Sequence, residues 1–212
     1  MRAELDHIVV GAASLDSGAM AVEERLGLPL VQGGVHPRMA THNRLLALDR
    51  RSYFELIAAD PDGTPPGRPR WFGLDAPATV ERLGEGPSML AWVVRVDDIA
   101  AAREALGPEI GEIETMTRGD LSWRIAVRAD GAPPAGGALP IVIEWPPGPH
   151  PVDRLPASPC RLMRLRVTTP EPARITAALT RLGFADDRVV VEAGETRLRA
   201  EIATAAGTAV FD

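Results

Sequence analysis

His7 sits in the middle of the apolar run Leu5-Asp6-His7-Ile8-Val9-Val10, and Glu55 repeats the pattern in Tyr53-Phe54-Glu55-Leu56-Ile57. An imidazole and a carboxylate placed inside strands have two uses. They can project into a shared cavity and act on a ligand, or they can be buried partners within the chain. For His7 the local partners would be Asp6 and Thr41. For Glu55 they would be Arg124 or His7, because a buried carboxylate without a partner carries a large desolvation cost. Other polar residues add to the set. His36 and His42 flank Asn43 in the approach to a strand. His36 lies either over a cavity mouth as an acid, base or further ligand, or at the surface beside Pro37. Asn43 suits a buried polar contact that fixes this segment or touches substrate. Arg124 alternates with Trp123 and Ile125, so it either grips a substrate carboxylate in bidentate fashion or faces solvent. His150 falls in a proline-rich stretch, structural in role or reaching the rim. Cys160, between Pro159 and Arg161, has no evident base, which argues against a thiol nucleophile.

The elements that must position these residues follow from periodicity and punctuation. Residues 3–10 alternate as a strand, with Leu5, His7 and Val9 on one face. Residues 14–26 read as a helix, capped by Ser14 or Asp16 and closed by Gly27. Residues 28–35, 44–48 and 52–58 are strands, the last two joined by the polar turn Asp49-Arg50-Arg51. The order restarts at Met89, with a strand over 90–96, a helix over 99–106 capped by Asp97 or Asp98, and strands over 110–116, 121–128 and 139–145. It restarts again at Arg161, with a strand over 162–168, a helix over 171–182, and short strands over 189–191, 196–202 and 208–211. The helix ends recur as Arg25-Leu26-Gly27, Ala105-Leu106-Gly107 and Arg181-Leu182-Gly183. Three copies of one strand–helix–three-strand unit are therefore expected. A single unit cannot bury both faces of its sheet, so at least two must pack together. The chain divides into a two-unit body over 1–146, a proline-rich linker over 147–159 and a third unit over 160–212.

Composition narrows the classes. Apolar residues make up 45% of 212, enough for a full core. A net charge of −6 lacks the basic face that nucleic-acid binding needs. No apolar run is long enough to span a bilayer, and no secretory signal is apparent at Met1. With one cysteine there is no intrachain disulfide or cysteine zinc cluster, which fits a cytoplasmic protein. There is no dinucleotide fingerprint, P-loop or nucleophile elbow, so no nucleotide cofactor is expected.

A repeated strand–helix–three-strand unit with His in the first strand and Glu in the last resembles the vicinal oxygen chelate superfamily, and within it the glyoxalase-like domain branch. The residues that carry the match are Leu5-Asp6-His7-Ile8-Val9, the run from His36 through Thr41 and Asn43 to Glu55-Leu56-Ile57, Arg118, Ser122-Trp123-Arg124, Leu139-Pro140, Glu144-Trp145 and His150-Pro151. The resemblance implies an α+β fold in which βαβββ units join into a curved mixed sheet, with a third βαβββ-like unit following. It also implies a divalent metal on the concave side, held from the first and last strands of each unit. Carried over by position, the ligands are His7, Glu55 and Glu144, with Trp92 where a fourth would stand and Arg164 at the matching place in the third unit. One imidazole and two carboxylates suit Fe, Mn, Ni or Zn. The implied activity is a lyase, isomerase or dioxygenase acting on a small oxygen-rich molecule, with His36 moving the proton. The alternative is a non-catalytic binding protein of the bleomycin-resistance kind, with Trp92 as a stacking surface. The third unit is expected to cover an exposed sheet or to pair with its copy in a homodimer.

Overall fold

The computed structural model describes residues 1–212. Strand β1 (Ala3–Gly11) leads into helix α1 (Leu15–Leu26). Ser14 caps α1 by accepting from the Ser17 amide, and Gly27 ends it at φ 70°, a left-handed conformation that glycine adopts without Cβ strain. Strands β2 (Val31–His36), β3 (Thr41–Ala47) and β4 (Tyr53–Ala59) complete the first unit. A connection carrying a short 3-10 turn, Trp71–Gly73, and helix α2 (Pro77–Glu85) crosses to the second. That unit comprises β5 (Ser88–Val96), α3 (Ile99–Leu106), β6 (Glu112–Arg118), β7 (Leu121–Val127) and β8 (Ile141–Glu144). Asp98 caps α3, accepting from the amides of Ala100 and Ala101.

The two units form one eight-stranded mixed sheet in the order β2-β3-β4-β1-β5-β8-β7-β6. Within each unit the first strand runs parallel to the last, and the units join through the antiparallel pair β1–β5. The sheet curls until its outer strands approach each other. Arg38, just past β2, donates to the Thr115 carbonyl of β6 at 2.6 Å. One apolar cluster, including Val9, Ile57, Val93, Ile125 and Ile143, fills the concave side. A larger one, including Ile8, Val10, Leu56 and Val142, packs the convex side against α1 and α3.

One irregularity decides which residues face the concavity. The β1–β5 register slips between Leu5 and His7, leaving Asp6 as an extra, bulged residue. Leu5 therefore packs with Ile8 and Val10 on the convex side, whereas His7 and Val9 face inward. The simple alternation that placed Leu5 beside His7 fails at Asp6. The same pairing sets Trp92 opposite Ile8 and Val93 opposite His7. Trp92 is thus a convex-side core residue, not a wall of the bowl. A one-residue difference in register moves a side chain to the other face.

The third unit keeps the strand–helix–three-strand order as β9 (Arg161–Thr169), α4 (Pro172–Arg181), β10 (Val189–Ala193), β11 (Arg197–Thr204) and β12 (Gly207–Phe211). Its strands pair differently, as β10-β9-β11-β12, with β9 parallel to the strand directly after its helix. This second sheet lies over the convex side of the first and shares its core. Phe184 meets Trp92 edge-on at 5.7 Å, and Phe211 meets Phe54 at 5.1 Å. Trp92 Nε1 donates to the Gly137 carbonyl at 3.1 Å, so the buried indole is satisfied. The third unit covers the sheet within its own chain. No helix is long and apolar enough to cross a membrane.

Candidate functional site

The curl of the sheet encloses a narrow cavity on its concave side. His7, Glu55 and Tyr53 form its floor, His36 and Arg118 one side, and Trp71, Phe72, Trp123 and Trp145 its aromatic walls. About 20 Å3 is free inside, room for a single water. The walls come from outside the strands as well as from them. Trp71 and Phe72 belong to the 3-10 turn and stack with ring centroids 5.1 Å apart. Phe72 holds a left-handed backbone, φ 59°, which costs a residue with a side chain some strain and occurs here at the pocket wall.

Beneath the cavity runs a buried chain of charges. Asp6, fully buried, accepts from His7 Nδ1 at 2.6 Å, His150 Nε2 at 2.9 Å and Trp145 Nε1 at 3.2 Å. The Val152 amide donates to His150 Nδ1, which leaves the His150 proton on Nε2. His7 Nε2 faces Glu55 Oε2 at 3.5 Å, and Tyr53 stacks on the His7 ring at 4.5 Å. Glu55 Oε1 accepts from Asn43 Nδ2 at 2.5 Å, and Asn43 Oδ1 accepts from Arg118 Nη1 at 3.1 Å. The bulge places Asp6 below His7, and the antiparallel pairing of β3 with β4, Asn43 opposite Ile57, places Asn43 diagonally beside Glu55.

Electrostatics follow from this geometry. Burial opposes charge on His7, but the hydrogen bond to Asp6 and the facing Glu55 carboxylate outweigh it and raise its pKa to about 9. Glu55, against the same burial, is held down to about 2, chiefly by His7. Asp6 lies below the ordinary carboxylate range, where bonds from His150 and His7 overcome burial. His36 behaves oppositely. Burial pushes it down to about 4, against the pull of Glu55 and with help from the charges of Arg118 and His7. The pocket thus holds an imidazolium–carboxylate pair next to a neutral imidazole.

The residues expected from sequence separate into two groups. His7, Glu55 and His36 converge on the cavity, and His36 is buried at the end of β2 with its Nδ1 3.1 Å from Thr41 Oγ1. Asn43 is fully buried behind Glu55 and orients it rather than facing the cavity. Glu144 does not join His7 and Glu55. It shares a face with convex-side Val142, accepts from the Ile99 amide at the start of α3 at 2.8 Å, and takes two bonds from Arg124. Arg124 is consumed by that pair, so neither it nor Trp92 reaches the cavity. Tyr53, Trp71, Phe72, Arg118, Trp123 and Trp145 escaped sequence reasoning as cavity residues. Tyr53 carried a signal in its shared parity with Glu55, and Arg118, Trp123 and Trp145 stand in the stretches that carry the family resemblance.

A divalent metal bound in the manner the resemblance implies needs donors from both halves of the bowl. The first half supplies His7 and Glu55. The concave faces of β5 and β8 supply Ala91, Val93, Ile141 and Ile143, none of which can ligate. No three His, Cys, Asp or Glu side chains are grouped to hold an ion. Of the three inward donors, His7 and Glu55 face each other as a cation and its counter-ion, and His36 turns its Nδ1 to Thr41. The residues present do not fit a resident divalent metal.

A paired-unit bowl with a concave-side pocket defines the class as the vicinal oxygen chelate fold. The glyoxalase-like domain family model matches residues 5–183, and the chain belongs to that family. A search of curated proteins returned no match. Among solved structures, a hypothetical protein from Staphylococcus aureus is similar over 93% of this chain and 88% of its own, with a TM-score of 0.61 and 14% identity. Methylmalonyl-CoA epimerase from Mycobacterium tuberculosis shares 21% identity over 68% of this chain and 88% of its own, with a TM-score of 0.42. A fusion protein of a xylose isomerase-like TIM barrel with 4-hydroxyphenylpyruvate dioxygenase aligns with 98% of this chain and 31% of its own, at 15% identity and a TM-score of 0.45.

Proposed function

We propose that the chain is an enzyme of isomerase or lyase type that moves a proton on a small oxygen-rich molecule whose reacting end enters the concave pocket while the rest lies outside it. The observation that supports this is the convergence of Glu55, His7 and His36 on one aromatic-walled cavity, with no hydrogen bond donated to Glu55 Oε2 and His7 Nε2 3.5 Å from it. A substrate oxygen entering between the pair takes the His7 proton contact for itself. Glu55 then loses the contact that keeps it acidic, and burial raises its basicity. It can accept a proton from the carbon next to a substrate carbonyl, while the His7 imidazolium faces the oxygen on which negative charge develops. Glu55 returns that proton to the neighbouring carbon, and neutral His36 passes the proton of the adjacent substrate hydroxyl to the oxygen that faces His7, so that no proton is gained or lost overall. Each step uses side chains of this chain alone.

The test is solvent exchange. Wild-type protein and a Glu55→Gln variant are incubated in D2O with a panel of 2-hydroxy acids, 2-oxo acids and 1,2-dicarbonyl compounds, and deuterium uptake at carbon is read by NMR. Wild type exchanges at least one compound, also after dialysis against a chelator, and Glu55→Gln slows the exchange on the order of 10²–10⁴-fold. Three indoles, Trp71, Trp123 and Trp145, line the pocket and favour a second reading, binding without chemistry. Compounds that shift tryptophan fluorescence while none exchanges would establish that reading instead.

A further inference from the structure

We propose that Arg118 clamps the oxyanion head group, carboxylate or phosphate, of a ligand whose apolar tail lies in the groove between β2 and the β6–β7 hairpin. This rests on the reading of the concave pocket as the ligand site and adds the class of ligand. Two openings in the molecule share a single charged residue. Arg118 borders the inner cavity and also an outer groove of about 500 Å3. The inner cavity holds no more than a water, so any larger ligand extends past Arg118 into the groove.

The arginine is arranged for this. Its stem lies against Gly34, where an added Cβ would sit 3.0 Å from Cγ and Cδ and press the side chain aside. Its head reaches the neutral Asn43 amide and forms no ion pair. Its neighbours differ. Arg38 and Arg68 pair with Glu114, and Arg154 pairs with Asp120. A half-buried guanidinium with five N–H donors, one of them spent on an amide, is suited to a planar or tetrahedral oxyanion. The groove beyond carries Val31, Val35, Leu45, Leu121 and Leu155, which suit an alkyl chain, beside Gln32 and the mutually paired Asp120 and Arg154.

Binding of octanoate, octyl phosphate, octanol and butyrate, followed by tryptophan fluorescence and calorimetry, tests the assignment. Wild type should bind octanoate or octyl phosphate at least about tenfold more tightly than octanol, about 1.4 kcal/mol. The tighter of the two identifies the head group. Arg118→Gln, which keeps a polar stem, should erase that difference and leave octanol unchanged. Val35→Asp, at an exposed groove position, should weaken octanoate and spare butyrate. Equal affinity for octanoate and octanol in wild type, an undiminished difference in Arg118→Gln, or no binding of any probe at millimolar concentration overturns the proposal. Failure of deuterium exchange with intact octanoate binding removes the catalytic reading only. Exchange without an anion preference removes the clamp only.

Discussion

Asp6 is the most heavily engaged side chain of the site, bound by His7 of its own strand and by Trp145 and His150 of the stretch after β8. Removing it leaves a buried imidazolium and an indole without their acceptor. Asp6→Ala should cost about 3–5 kcal/mol in urea unfolding. The two pocket histidines also set a pH signature. The His7 pKa is raised to about 9, so its contribution is complete below its ordinary 6.5 and is lost as pH rises through 9. That of His36 is lowered to about 4, so its contribution is complete above 6.5 and is lost as pH falls toward 4. Stability should peak near pH 6.5, with slopes up to about 1.4 kcal/mol per pH unit per proton on either side. His36→Gln should flatten the limb between pH 4 and 6.5 and leave the alkaline limb intact. Denaturation midpoints across this range check both.

At the scale of elements, a bulge and a cap do opposite jobs with similar residue types. The bulge at Asp6 turns one acidic side chain beneath His7, and β8 carries another, Glu144, to the start of α3. Glu144 accepts the Ile99 amide near the positive end of the helix, where a carboxylate is favoured. Glu144→Ala should therefore lower stability by roughly 1 kcal/mol and leave binding in the concave pocket unchanged. A loss of pocket binding in this variant, measured by tryptophan fluorescence, would contradict the assignment of its face. The element order and most strand positions were legible from alternation and glycine punctuation. The parity of Glu144 was not, because Val142 and Glu144 share a face in either case and sequence alone does not say which face is concave.

For the molecule as a whole, the third unit functions as a cover. Its sheet and α4 bury Trp92, Phe54 and the convex ends of the strands in one continuous core. Trp92→Ala should cost about 3–5 kcal/mol, as for other buried aromatics, and should not change ligand affinity in the pocket on the far side of the sheet. Thermal unfolding and the octanoate titration separate these outcomes. Parallel pairing of β9 with β10, absent from the other two units, gives this unit a separate four-stranded sheet instead of half a bowl. The segment between the bowl and this unit does more than connect. It carries His150 to Asp6 and buries Pro151 and Val152.

Periodicity, turn residues and the recurring helix ends determined the fold class, the order of elements and the placement of His7 and Glu55 in strands of one sheet, because these are local properties of the chain. Which side of the sheet each residue faces, and which residues meet, was decided by the tertiary structure. The bulge at Asp6 shifts alternation by one, the β1–β5 register sends Trp92 outward, and the curl of the sheet brings Arg118 to Asn43. Each is a long-range pairing whose alternatives differ by a single residue, and the burial of the whole sheet selects among them.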